Sequence, residues 1–268
     1  MGIVPSSTSA TSPRWGWLLL SFARREVLDR YAGSASGLAW TLLHPLAQLA
    51  IFAFVFSRIF RIGVPAAYPG VDYVSFVAIA LWPWIMFSEG IQRALGSIAA
   101  NAGLVRKVAF PHRLLVFASM IGTCAVHCAG YLAVLLVLRL AGEPIRLSGL
   151  PYAFVLLVPY MLLATGLAAF LAALQTLLRD VEHVVQVLLQ MLFYASPILY
   201  PASLVPASLQ GVVHANPLGW FSERLREVLL RGSAPVPGDL AIAIACVAVF
   251  ALGLWFFERL SPHFEDFL

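Results

Sequence analysis

Residues 152–174 read YAFVLLVPYMLLATGLAAFLAAL, an apolar run without one charged side chain. At 1.5 Å of rise per residue this run makes a helix of about 30 Å or more, the thickness of a bilayer's hydrocarbon core. The whole chain shares the bias: of 268 residues, 61% are hydrophobic and 11% charged, and the mean hydropathy is +0.88. A soluble domain carries roughly 25% charged residues. The bilayer is therefore the solvent this composition demands.

Working outward, five further runs lie near residues 38–60, 73–95, 114–138, 184–200 and 240–257. The expected fold is an all-α polytopic membrane protein with six transmembrane helices. Arg14, Arg24, Arg25 and Arg30 precede the first run, and Arg93, Arg106, Lys107 and Arg113 cluster around the second connection. Basic flanks stay on the cytoplasmic side, so both termini are expected there. Residues 1–13, rich in serine, threonine and proline, are expected to be a disordered lead-in, with residues 14–268 forming one membrane domain. Cys124, Cys128 and Cys246 sit inside apolar runs, where a thiol acts as a small hydrophobe. With His127 they supply no second ligand pair, so no metal site is expected.

Three segments are not spans. Residues 14–32 form an amphipathic helix with Leu20, Ala23, Val27 and Tyr31 on one stripe and Ser21, Arg25, Glu26, Asp29 and Arg30 on the other. Trp15 and Trp17 at its start suit the membrane interface. Residues 99–111 set Arg106 and Lys107 among Leu104, Val105 and Phe110, and Pro111 ends them, which reads as a short amphipathic helix. After the fifth run, Pro201, Pro206, Pro217, Pro235 and Pro237 punctuate two apolar pieces too short to span, so residues 201–234 read as a helical hairpin dipping in from the outer side.

The chain lacks the G-x-x-x-x-G-K-[ST] phosphate loop, the H-E-x-x-H metal pair and the G-x-S-x-G elbow. Its titratable residues are scattered rather than clustered, which argues against an integral-membrane enzyme. Glu89 and Arg93, four residues apart on one helix face, read as a structural ion pair; one pair makes no proton relay. A secondary transporter would show matched interrupted spans in two halves, and the single hairpin has no counterpart. A pump built on this chain needs its ATP-hydrolysing part in another subunit.

Several short blocks, in order, resemble the type-2 ABC exporter permeases of the polysaccharide family, which handle O-antigen, capsule and teichoic acid. They are Arg30-Tyr31 with Gly33-Ser34, Gly37, Trp40 and Pro45; Asn101 to Leu104 with Lys107, Phe110 and Pro111; Arg179-Asp180-Val181; Ser196-Pro197-Ile198-Leu199-Tyr200-Pro201; and Asn216-Pro217. Leu115 stands where that pattern carries a second proline. The resemblance implies a homodimeric permease in the bacterial inner membrane, with two nucleotide-binding subunits that hold ATP and Mg, and a lipid-linked glycan passing through a channel at the dimer interface. This chain itself then needs no cofactor and no nucleic-acid partner. The implied sites are an ATPase-coupling segment at Asn101, Leu104, Val105, Arg106, Lys107, Phe110 and Pro111, and an outer gate at Ser196, Pro197, Tyr200, Pro201, Asn216 and Pro217. Arg24, Arg25, Arg30 and Tyr31 suit a lipid head group because guanidinium forks match phosphate oxygens. Trp40, Trp82, Trp84 and Tyr194 offer flat faces for a channel wall. The same architecture would serve a permease for a drug or haem.

Overall fold

A computed structural model describes residues 15–30 and 37–268. The expected lead-in, Tyr31 and most of the Gly/Ser stretch before the first span lie outside these residues. All regular structure among the described residues is helical: α1 (Trp15–Asp29), α2 (Gly37–Ala53, continuing as a π-helical turn Phe54–Ile59), α3 (Tyr73–Leu95), α4 (Ser97–Ala100), α5 (Ala102–Val105), α6 (Arg113–Leu140), α7 (Leu150–Leu177), α8 (Val181–Ala195), α9 (Ala207–Ala215), α10 (Pro217–Arg226, continuing as π turns to Arg231), α11 (Pro237–Leu260) and α12 (Phe264–Phe267).

Four segments are long and apolar enough to cross a membrane: Tyr73–Leu95, Arg113–Leu140, Leu147–Leu177 and Pro237–Phe267. The other two expected spans are shorter apolar helices, Leu43–Ile59 and Val181–Ala195. The fifth run does not stay helical to residue 200. It stops at Ala195, where Ser196 takes an extended conformation, because Pro197 pushes the residue before it out of the helical region.

The central helix is α3, whose residues Phe76 to Trp82 are almost fully buried. It packs on α6, α7 and α10, and helix α1 lies along α6. The tightest pairing joins α7 to α11 through two glycines: a Cβ on Gly166 would meet Phe250 Cα at 2.4 Å, and one on Gly253 would meet the Gly166 carbonyl oxygen at 2.0 Å. Lipid gives helices no hydrophobic reason to associate, so close backbone approach through small residues is what holds such pairs.

Helix α1 is amphipathic, but its faces fall differently from the expected stripes. Ala23 is buried, whereas Leu20 is 65% and Trp17 70% exposed. Trp17, Leu20, Arg24 and Leu28 form the outward face; Leu19, Phe22, Glu26 and Arg30 turn inward. Gly122 on α6 lets the helix approach: a Cβ there would sit 3.2 Å from Glu26 Cγ and 3.4 Å from the Ala23 carbonyl oxygen. The inward acid and base follow from what waits for them on α3 and α6, which a helical wheel does not contain.

Gly253→Val drives a side chain into the α7 backbone and is expected to cost about 1–3 kcal/mol, read as a lower thermal midpoint of the detergent-solubilised chain. Gly211→Ala, which meets nothing within 4 Å, is the matched control and leaves the midpoint unchanged or slightly raised.

Candidate functional site

At the basic end, the carboxylate of Glu89 is a hub. Arg93 Nε donates to its Oε1 at 2.6 Å, and Arg30 Nη1 lies 3.3 Å from the same oxygen. His127 Nε2 is 2.7 Å from Oε2. Arg30 also donates to the Thr123 hydroxyl, and Arg93 Nη1 lies 3.8 Å from Glu26 Oε1. The expected Glu89–Arg93 pair is thus part of a network that ties α1, α3 and α6 together. Arg30, read from sequence as a lipid contact, has a side chain only 5% exposed. Arg24 and Arg25 are exposed, and Arg25 pairs with Asp29 at 3.2 Å.

Beside this hub, two adjoining clefts of about 450 and 430 Å³ run between α2, α3 and α8. They share Gln48, Trp84, Ser88 and Gln92, so they make one groove. Helix α2 contributes Trp40, His44, Gln48 and Phe52, each four residues after the last. Helix α3 contributes Trp84, Ser88 and Gln92 at the same step, and α8 adds Gln186, Gln190 and Tyr194. Three of the four aromatics expected at a channel wall, Trp40, Trp84 and Tyr194, therefore meet in one groove. Trp82 does not: it is 2% exposed, and its Nε1 donates to the His127 carbonyl at 3.1 Å, pinning α3 to α6. The proline between Trp82 and Trp84 leaves α3 continuous, so the two rings, 200° apart around the helix, face different neighbours. The glutamines were missed; for Gln186 and Gln190 the signal was an amide recurring at i and i+4 inside an apolar run.

Residues 99–111 do not form the single expected helix. The segment is two four-residue helices, α4 and α5, broken at Asn101, whose side chain donates to the Ser97 carbonyl at 2.9 Å. Val105 and Phe110 are buried anchors, with Phe110 edge-on to Phe22 at 5.9 Å and to His112 at 5.3 Å. Between the anchors, Arg106, Lys107, Val108 and Ala109 are exposed, while Asn101 and Leu104 are half-buried. The segment is therefore a protruding turn fixed at both feet, and Pro111 ends it.

At the far end, the expected gate residues converge. Asn216 Oδ1 accepts from the Leu218 N–H at 3.0 Å and caps α10, with Pro217 at its first turn, while Asn216 Nδ2 donates to Ser196 Oγ at 2.8 Å. Tyr200 donates to the Tyr194 carbonyl at 2.8 Å, and Pro201 is buried. What sequence reading missed is Arg226. Fully buried, it donates to the carbonyls of Phe76 at 2.9 Å, Pro197 at 2.8 Å and Ile198 at 2.6 Å, and its guanidinium sits 3.7 Å from the Phe76 ring centroid. The Ser196–Pro201 turn is a clamped corner, with Tyr73 adding a bond to the Leu199 carbonyl. Arg224 fixes the neighbouring element through a two-pronged bond to Asp239 at 2.8 and 2.9 Å.

Comparison with known proteins matches residues 18–230 to the family described as ABC-2 type transporter. The chain belongs to that family. This ABC-2 transporter chain is 31% identical over 260 residues to the O-antigen export system permease protein RfbA of Myxococcus xanthus, covering 93% of this chain and 94% of the relative. Its identity to the protein of the same name from Klebsiella pneumoniae is 24% over 251 residues, covering 94% and 95%. To the polysialic acid transport protein KpsM of Escherichia coli it is 24% over 209 residues, covering 78% and 79%. The family resemblance carried by the order of the short motifs therefore holds.

Arg226→Met removes the donors of three buried carbonyls and is expected to destabilise the chain by about 3–5 kcal/mol. Arg226→Lys, which keeps the charge but loses the fork, recovers only part. The check is the thermal midpoint of the purified chain, together with the protease sensitivity of residues 196–231.

Proposed function

We propose that this chain is the permease subunit of an ATP-driven exporter that moves a lipid-linked polysaccharide across the bacterial inner membrane. Two copies place their α2–α3–α8 grooves face to face and enclose the channel. Six helices cross the membrane, the two short ones, α2 and α8, lining that channel, and both termini are cytoplasmic. The carrying observation is the groove itself, a track of amides and aromatic rings running along α3, a helix long and apolar enough to cross a membrane; on this reading the track lies at membrane depth. Polar backbone or side-chain groups at that depth must face protein or water, and a second copy supplies the missing wall. The relatives named for O-antigen export and polysialic acid transport support a polymer as cargo, and a long open groove suits a polymer better than a drug or haem.

ATP and Mg belong to a separate nucleotide-binding subunit, present in two copies. The turn at Arg106 and Lys107 docks on it, with Asn101, Leu104, Val105, Phe110 and Pro111 holding the turn's shape. Arg24 and Arg25 on the outer face of α1, with Tyr31 beyond it, meet the head group of the lipid-linked substrate. The corner at Ser196, Pro197, Tyr200 and Pro201, with Asn216 and Pro217, forms the gate on the far side.

Arg106→Glu with Lys107→Glu tests the docking turn, because both side chains are exposed and neither holds the fold. Charge reversal is expected to weaken binding of the ATPase subunit at least about tenfold, measured by co-purification and by ATP hydrolysis of the assembled complex. Unchanged stoichiometry and hydrolysis would remove the turn from the coupling surface.

A further inference from the structure

Four of the chain's six glutamines, Gln48, Gln92, Gln186 and Gln190, line the groove. Among the described residues none of these four side chains makes a hydrogen bond. The other two do: Gln175 donates to the Arg179 carbonyl at 3.2 Å and accepts from the Glu182 N–H at 2.9 Å, and Gln210 donates to the Val205 carbonyl at 3.2 Å. An amide at membrane depth without a partner costs several kcal/mol unless water or a ligand satisfies it. The four-residue step raises each rung about 6 Å along its helix and turns it only about 40°, so the amides and rings form continuous stripes.

Charge distinguishes this track from the rest of the chain. Its ionic residues are confined to the mouth, Arg30, Glu89 and Arg93; beyond them, among the described residues, His44 is the one further basic side chain, and no lysine, arginine or carboxylate lines either cleft. At the mouth the two guanidiniums already have carboxylates, Glu89 and Glu26. His44 aside, the groove therefore offers no uncompensated cation to a chain of negative charges, and moving such a chain past rings and amides forfeits its hydration without a counter-ion. An amide donates and accepts at once, which matches a hydroxyl group, and an aromatic face takes the C–H face of a sugar ring.

Resting on the export reading above, we propose that the groove carries an uncharged, hydroxyl-rich chain, a neutral glycan, and disfavours polyanionic glycans. The test uses the full chain with its ATPase subunit in lipid nanodiscs, Cys124, Cys128 and Cys246 replaced by alanine, and Ser88→Cys as the reporter. The rate of labelling by a membrane-impermeant maleimide is measured with maltoheptaose or with an oligosialic acid of equal length; Gln190→Cys gives an independent reporter on another helix. Maltoheptaose is expected to slow labelling several-fold while oligosialic acid leaves it unchanged. In a Gln190→Lys background, oligosialic acid is expected to become protective. Equal or stronger protection by oligosialic acid in the parent groove overturns neutrality and leaves the export reading intact. Reporters that do not label, or that neither sugar protects, overturn the groove as a conduit and the proposal with it.

Discussion

The contacts around Glu89 set the arrangement of the basic end. One carboxylate holds Arg30 just past the end of α1, Arg93 from its own helix and His127 from α6, so three helices cannot separate without exposing a charge to lipid. Breaking such a pair at depth costs far more than forming it gains, which makes the network a fastener more than a source of stability. Arg226 does the same work at the opposite end, with three carbonyl acceptors beside the Glu223 carboxylate at 3.2 Å. Between these two fastened ends lies the groove, whose amides have no partner among the described residues.

The fastening has a mechanical consequence. The turn at Arg106 and Lys107 is anchored by Phe110, which touches Phe22 on α1 and His112; His112 in turn lies 3.1 Å from Ser261 and stacks near Phe264 at 6.1 Å. Arg113 reaches Glu258 at 2.8 Å. The turn is therefore tied to α1, α6 and the end of α11. At the far corner Arg226 grips carbonyls of α3 and of the turn after α8, tying the hairpin and the end of α8 to α3.

Much of this architecture was legible in the sequence. Apolar runs located α3, α6, α7 and α11 because length and composition alone decide what crosses a bilayer. Asn216-Pro217 and Ser196-Pro197 were legible as corners because proline and a capping asparagine act locally. What escaped was decided by neighbours distant in sequence. Glu26 and Arg30 looked solvent-facing until Arg93 and Glu89 stood opposite them. Trp82 and Trp84 looked equivalent until α6 claimed one and the groove the other. Residues 99–111 carried a helical pattern, but the Asn101 side chain competes for the backbone carbonyl and breaks it. Nothing local in the sequence sets Arg226 apart; the three carbonyls and the Glu223 carboxylate around it give it its role.

The central claim is that the unpartnered amide rows mark a water-filled track while the rest of α8 faces lipid, the bundle or a second copy. It is tested most directly by single cysteines placed in turn at residues 181–195 of the otherwise cysteine-free chain, assembled with its ATPase subunit in membranes and labelled with an impermeant thiol reagent. The account predicts reactivity peaking at residues 186, 190 and 194 and falling away at 184, 188 and 191. A flat profile, or one peaking at the exposed apolar positions Val184, Leu188 and Met191, would contradict it.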